Sequence, residues 1–408
     1  MDSFNSKIES AISAGKVAGA VTAASNATRS FNHASSYGPR SLHSTSSTPL
    51  KPDAILWLAS CTKHLTSISA LQCVERGQFT LDEDVSRLLP ELKLEDLDIL
   101  QGFDSEEKPK LVKATKNITL RMLLTHTSGL AYDLFTPDLI RWRATRGEVA
   151  TLDKGTVISR FKTPLTFEPG TSWAYSSGLD WAGLMISRAN NMTLEEYMHK
   201  YICAPLGITD FTFHIDQKPA LLSRLVDTTL RVGGMTPFGT TANPTGALVH
   251  FEGRFWSPDQ IDDVGGAGAY MSMPSYQKVL HSITISDEKL LSKAMNDKMF
   301  EAQLTEPQLA TLNYIRQIPE MRYIITPSVP VDTKLNHGLG GMILLEDLEG
   351  RRRKGAMYWC GLPNLLWWAD REAGVSGIYG SQLIPTADKQ IIEMFEEFEK
   401  AIYAEVGA

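Results

Sequence analysis

Six serines in this chain stand three residues before a lysine: Ser13, Ser60, Ser105, Ser159, Ser275 and Ser286. A serine hydroxyl is a poor nucleophile until a nearby base takes its proton, and a lysine one turn along can do so if burial and neighbours lower its pKa. Spacing alone selects none of the six. Setting singles out Ser60, because the apolar run "AILWLAS" ends on it and an apolar helix, predicted to stop before Gly77, opens there. Ser60 and Lys63 would then share the first turn of that helix, on one face. The free N–H groups and positive dipole end of such a terminus favour negative charge developing on an attacked carbonyl oxygen. The same residues also read as an N-capping serine followed by a surface lysine, and local pattern leaves both readings open.

The pair needs a scaffold, and hydrophobic periodicity outlines one. Residues 5–15 have helical spacing, "VAGAVTAAS" predicts a strand, and "SYGPRSLHSTSSTPLKPD" predicts a loop. From about 85 to 260 the pattern is mainly helix and loop: "TLRMLLTHTSGL" predicts a helix ending at Gly129, and residues 177–208 predict two helices, the second opening on Thr193 as N-cap. Residues 231–268, rich in Gly, Pro and Thr, predict an extended loop. Helices near 274–285 and 288–302 follow, then strand-like runs "GLGGMILLEDL", "RKGAMYWCG", "NLLWWAD" and "GVSGIYGSQL", and a closing helix "TADKQIIEMFEEFEKAIYAEV". Strands at both ends with helices between them predict an α+β fold whose termini build one sheet together. The expected division is a discontinuous α/β domain, residues 1–84 and 265–408, and a mainly helical insertion, residues 85–264, with the site between them.

Composition removes several function classes. A chain of 408 residues supports a sizeable core, and a net charge of −7 offers no broad basic field, so nucleic-acid partners are not expected. Nine histidines without His-rich or Cys-rich tracts give no metal signature. Cys61, Cys73, Cys203 and Cys360 are scattered with no C-x-x-C pair, which argues against a disulfide framework. No apolar run reaches the ~20 residues of a membrane span, and the first residues lack the order of a signal peptide, so a cytoplasmic protein without a membrane partner is expected. The N-x-S/T matches at Asn26, Asn117 and Asn191 read as chance. His126 has no acidic residue near it in sequence and reads as a buried, hydrogen-bonded histidine. The run "RRRKG", Arg351 to Gly355, reads as the solvated tip of a hairpin, a local basic patch on an acidic protein.

Three short stretches, "SCTK" at 60–63, "YSS" at 175–177 after "PGTSWA", and "WCG" at 359–361, stand in the order and approximate spacing of the three motifs of the serine β-lactamase and penicillin-binding-protein family, which this chain resembles. "LLTHTSGL" and "GGAGAYMS" resemble the class C β-lactamase and esterase branch, and "ALQCVERG", "CAPLGITDFTF", "KVLHS", "LEDLEG" and "RRKG" are similar to its fungal lovastatin-type polyketide acyltransferases (transesterases). The resemblance covers nearly the whole chain and implies a β-lactamase-like fold. It makes Ser60 the acylated nucleophile, Lys63 its proton partner and Tyr175 a second general base and acid. The backbone N–H groups of Ser60 and Leu362 become the oxyanion hole. Tyr132, Trp173, Ser177, Trp359, Cys360 and Gly361 become substrate-binding positions, with Trp173 and Trp359 as walls of an apolar cleft.

Two departures from the pattern shape the expected function. Trp359 stands where β-lactamases put a lysine, which removes the cation for a penicillin carboxylate, and Ser177 stands where asparagine is usual. The resemblance therefore implies an acyltransferase of secondary metabolism, moving an acyl group from a thioester or ester donor, on CoA or an acyl carrier protein, through acyl-Ser60 to a small-molecule acceptor. No cofactor or metal is implied. A serine esterase, lactonase or thioesterase is the alternative, and a non-catalytic binding protein a third.

Overall fold

The computed structural model describes residues 1–408 apart from 44–47, 150–154, 237–238, 241 and 257–259. Seven strands form an antiparallel sheet in the order Asn32–Tyr37, Ala20–Asn26, Val375–Gly380, Leu365–Asp370, Met357–Gly361, Met342–Leu344 and Leu335–His337. Both ends of the chain contribute to it, as the strand-like runs predicted. Neighbouring tryptophans show how the pleat sorts side chains, because successive residues of a strand point to opposite faces. Trp367 meets His64 and Tyr276 on one face, while Trp368 meets Phe395, Phe398 and Tyr403 on the other. The helices Thr62–Glu75 and Met273–Ile285 thus cover one side, and Lys389–Val406 covers the opposite side with Asp2–Ser13 beside it.

The closing helix follows from its sequence. Asp388 caps it by accepting from the Gln390 and Ile391 N–H groups, and Ile391, Phe395, Phe398 and Ile402 bury one stripe at helical spacing. Between the two sheet-forming ends of the chain lie the helices Leu120–Leu124, Gly178–Asn190 and Leu194–Met198. Thr193 caps the last of these through a reciprocal bond with Glu196.

Several elements differ from expectation, each for a physical reason. Asn32–Tyr37 is an edge strand whose polar residues show no apolar alternation. Residues 231–268 are not all loop: Leu248–His250 pairs with Thr229–Arg231, which pairs on its other side with Leu383–Ile384, strands too short to carry a period. The helix expected over 288–302 spans only Lys293–Met299, because Ser286 and Glu288 adopt left-handed backbone before it. Glu306–Arg316 and Pro319–Ile325, where no element was expected, are helical.

The basic run is also corrected. Arg351 and Arg352 lie beneath the hairpin, with side chains 9% and 1% exposed, and both pair with Glu399, which is fully buried on the closing helix. Arg351 also donates to the Ser328 carbonyl, 3.0 Å away. Arg353 and Lys354 alone of the four cations face solvent, so the expected patch loses half its charge to the core. Among the described residues, no helix is long and apolar enough to cross a membrane.

Candidate active site

The strand Ile55–Trp57, paired with Tyr270–Ser272, delivers the chain into a tight turn over Ala59–Cys61 before the helix Thr62–Glu75 begins. Ala59, buried immediately before Ser60, has φ 44°, a left-handed conformation that costs an L-residue ~1 kcal/mol and is held here by the surrounding core. The caps of this turn and of the helix are Leu58 and Cys61, and Ser60 Oγ is hydrogen-bonded to Lys63 and Tyr175, which corrects the N-cap reading. The lysine is not a surface residue either. Lys63 is 4% exposed, and every residue from Thr62 to Cys73 is buried, because this helix runs through the middle of the molecule.

Lys63 Nζ lies 3.3 Å from Ser60 Oγ, 3.1 Å from the Tyr132 hydroxyl and 2.7 Å from the Gly266 carbonyl oxygen. The Tyr175 hydroxyl donates to the same Ser60 Oγ at 2.6 Å. The serine is therefore met from two sides, and Lys63 and Tyr175 meet over its oxygen. A fourth group closes the cluster: the Tyr132 hydroxyl donates to Asp180 Oδ2 at 2.6 Å, and the Gly266 N–H donates to Asp180 Oδ1 at 2.8 Å.

Tyr175 stands on the extended segment that leads into the helix Gly178–Asn190, and the loop 126–132 holds that segment in register. Tyr132 N–H donates to the Tyr175 carbonyl, Ser177 N–H to the Leu130 carbonyl and Ala174 N–H to the His126 carbonyl. His126, at φ 61°, accepts the Ser176 N–H on Nδ1 and lies edge-on to the Tyr175 ring. Burial keeps its pKa well below the ordinary value, so it is a neutral, hydrogen-bonded histidine.

Burial also sets the charge of the reactive groups. It lowers Lys63 from 10.5 to about 8, against the opposing pull of the Asp180 carboxylate. Burial pushes Tyr175 well above the ordinary phenol value, and its bond to Ser60 only partly offsets this. A neutral amine is thus far easier to form here than a tyrosinate. The Cys360 thiol is pushed up to about 12 by burial, and its Sγ lies 3.1 Å from the Ile324 carbonyl oxygen; it is a small, protonated strand residue.

The cluster opens on a largely apolar cleft lined by Ser60, Tyr132, Phe135, Phe161, Tyr175, Trp256, Trp359, Cys360 and Leu362, among others. The structure thus brings Tyr132, Trp359, Cys360 and Leu362 to the cleft. Trp173 and Ser177 stand behind it: Trp173 packs edge-on against His126, and Ser177 Oγ donates to the Leu130 carbonyl. Gly361 faces the Ser60 turn, where a Cβ would come 2.5 Å from the Leu58 carbonyl oxygen; only glycine lets the strand Met357–Gly361 approach this closely. The sequence reading missed Asp180 and Gly266. The signal for Asp180 was a lone acid inside the apolar helical run "GLDWAGLM".

Known proteins share this architecture from end to end. The beta-lactamase family model matches residues 4–389. Monacolin J acid methylbutanoyltransferase of Aspergillus terreus is 37% identical over 402 residues, covering 97% of this chain and 94% of that protein. Lovastatin esterase of Penicillium rubens is 34% identical, with 99% of each chain covered. A solved structure of simvastatin synthase from Aspergillus terreus superposes with a TM-score of 0.88 at 36% identity, over 99% of this chain and 94% of that one. With its fold, its motif order and nearly all its length in common with these proteins, the chain belongs to the beta-lactamase family.

Proposed function

We propose that the protein is a serine acyltransferase of secondary metabolism, and one observation carries the reading: Ser60 Oγ sits within hydrogen-bond reach of both Lys63 Nζ and the Tyr175 hydroxyl at the floor of an apolar cleft. Ser60 Oγ attacks the carbonyl carbon of a thioester or ester donor while its proton passes to neutral Lys63. The tetrahedral oxyanion is held by the backbone N–H groups of Ser60 and Leu362. The C–S or C–O bond to the leaving group then breaks, and the thiol or alcohol departs with a proton relayed from Lys63 through Tyr175. In the second half the acceptor hydroxyl gives its proton to the same pair and attacks acyl-Ser60, which leaves as the free serine.

The likeness to a monacolin J acid methylbutanoyltransferase supports a small-molecule acceptor and a short branched acyl group as cargo; in this reading the acceptor is a bulky apolar alcohol and the donor a thioester or ester, on CoA or an acyl carrier protein. The cleft lies between the discontinuous domain, residues 1–84 and 265–408, and the helical insertion, residues 85–264. Trp359 in place of a cation makes β-lactam turnover poor.

Hydrolysis is the second reading, favoured by the full-length likeness to an esterase. Both use one acyl-enzyme, so intact-mass detection after incubation with an acyl thioester tests them together: one acyl group is added to wild type and none to Ser60→Ala. A wild type that never acylates removes both readings. Titrating alcohol acceptors separates them, since free acid as the sole product at every acceptor concentration leaves only the hydrolase.

A further inference from the structure

Asp180 is fully buried on the helix Gly178–Asn190, yet it reaches the lysine by two separate routes. One runs through the Tyr132 hydroxyl, which donates to Asp180 and accepts from Lys63. The other runs through the Gly266 peptide, whose N–H donates to Asp180 and whose carbonyl accepts from Lys63. Both groups bonded to Asp180 are donors, which suits a carboxylate. A Cβ on Gly266 would lie 2.5 and 2.6 Å from the two Asp180 oxygens and 2.6 Å from the Tyr132 hydroxyl, so the whole junction closes only around glycine.

We propose that Asp180 is a positioning residue of the acyl-transfer reaction, acting through Tyr132 and the Gly266 peptide to hold Lys63 Nζ against Ser60 and to govern whether that nitrogen carries a proton. The proposal rests on the Ser60 acyl-enzyme reading. Three N–H bonds of the ammonium are spoken for by Ser60, Tyr132 and Gly266, so two of the three anchors are themselves fixed by Asp180. Removing that carboxylate frees the amine to swing away from Ser60 and withdraws the charge that favours its protonated form.

The other groups facing this nitrogen point to the same carboxylate. Tyr132 and Tyr175 are neutral phenols, both pushed up by burial, and the Cys61 and Cys360 thiols are likewise pushed up and stay protonated. His126 is neutral, and the Arg160 guanidinium acts on the Asp180 and Tyr132 side of the cluster. Asp180 is therefore the one carboxylate acting on Lys63 among the described residues, and it exerts the largest pull against the effect of burial.

The experiment follows the rate of acyl-Ser60 formation against pH, by quenched-flow mass spectrometry with an acyl thioester, in wild type, Asp180→Asn and Tyr132→Phe. In Asp180→Asn the acid limb, which reports loss of the Lys63 proton, moves down by about one pH unit, and the plateau falls at least ~10-fold. Tyr132→Phe cuts one route while leaving the Gly266 bond, and moves the limb the same way by less. An Asp180→Asn limb coincident with that of wild type overturns the proposal whatever happens to the plateau, since a merely structural role would lower the rate without moving the limb. If Asp180→Asn does not fold, an unmoved limb in Tyr132→Phe overturns it equally. The acyl-enzyme reading fails separately, on a wild type that forms no adduct.

Discussion

Replacing Lys63 by methionine tests the electrostatics of the site without reference to any substrate. The buried ammonium is disfavoured in the folded protein, where the pKa is about 8, relative to the unfolded chain, where it returns to the ordinary 10.5. Between these values the unfolded chain holds a proton that the native protein has lost, so wild-type stability rises with pH across that window. Below pH 8 both states are protonated and the native protein carries the full penalty, about 3 kcal/mol. From pH 7.5 to 9.5 the penalty falls by about 2 kcal/mol, following 2.303RT per pH unit and flattening near the native pKa.

Methionine keeps most of the volume and has nothing to titrate. The stability of wild type measured against Lys63→Met therefore improves by about 2 kcal/mol over that range, read as the change in the gap between their urea unfolding free energies. Residual titration of Asp180, whose pKa burial raises, would destabilise the variant as pH climbs and widen the gap in the same direction. Groups common to both proteins and remote from residue 63 cancel. The wild-type acylation rate should rise with its midpoint near the same pH of about 8. A gap that stays constant from pH 7.5 to 9.5, or an activity midpoint far from the stability one, refutes the assignment of a depressed lysine.

Tyr175→Phe removes the donor to Ser60 Oγ and should slow acylation by ~10²- to 10⁴-fold with unchanged far-UV circular dichroism, checked by single-turnover mass spectrometry. Gly361→Ala drives a methyl group to 2.5 Å from the Leu58 carbonyl and must part the strand from the Ser60 turn; a loss of ~100-fold in acylation rate is expected from a displacement of about 1 Å. Glu399→Gln removes the buried carboxylate shared by Arg351 and Arg352, leaving Arg351 only the more distant Glu396 at 3.8 Å, and should destabilise the fold by about 3–5 kcal/mol in urea unfolding, with the acylation rate per folded molecule unchanged.

Much of this site was legible because its reactive pair is local. Ser60 and Lys63 lie within one turn, so spacing plus an apolar setting reached them, and the order of Tyr175 and Trp359-Cys360-Gly361 behind them supplied the rest. What escaped depends on distant contacts. Arg351 and Arg352 read as a solvated tip because a run of four cations is ordinarily solvated, and the carboxylate that draws two of them inward stands 47 residues on from Arg352. Asp180 was passed over for the converse reason: an acid in an apolar helix shows its purpose only when Tyr132 and Gly266, 48 and 86 residues away, fold against it. The strand Asn32–Tyr37 was invisible because an edge strand with a polar face has no apolar alternation to read.

The change from a cation to Trp359 redistributes the proton chemistry as well as the substrate preference. A second positive charge beside Tyr175 would favour the tyrosinate and make the phenol the better base. Here the Trp359 ring packs 5.6 Å from the Tyr175 ring instead, and the phenol's pKa rises with burial. Lys63 experiences the same burial with the opposite consequence, because desolvation favours its uncharged form, and Asp180 moderates the fall. In the proposed reaction, loss of the third-motif cation therefore favours Lys63 over Tyr175 as the base, with Tyr175 as a neutral shuttle between the amine and the leaving group or acceptor. That division suits a cleft lined by aromatic and aliphatic side chains, where a buried tyrosinate would have Lys63 as its nearby cation and a neutral amine needs no counter-charge.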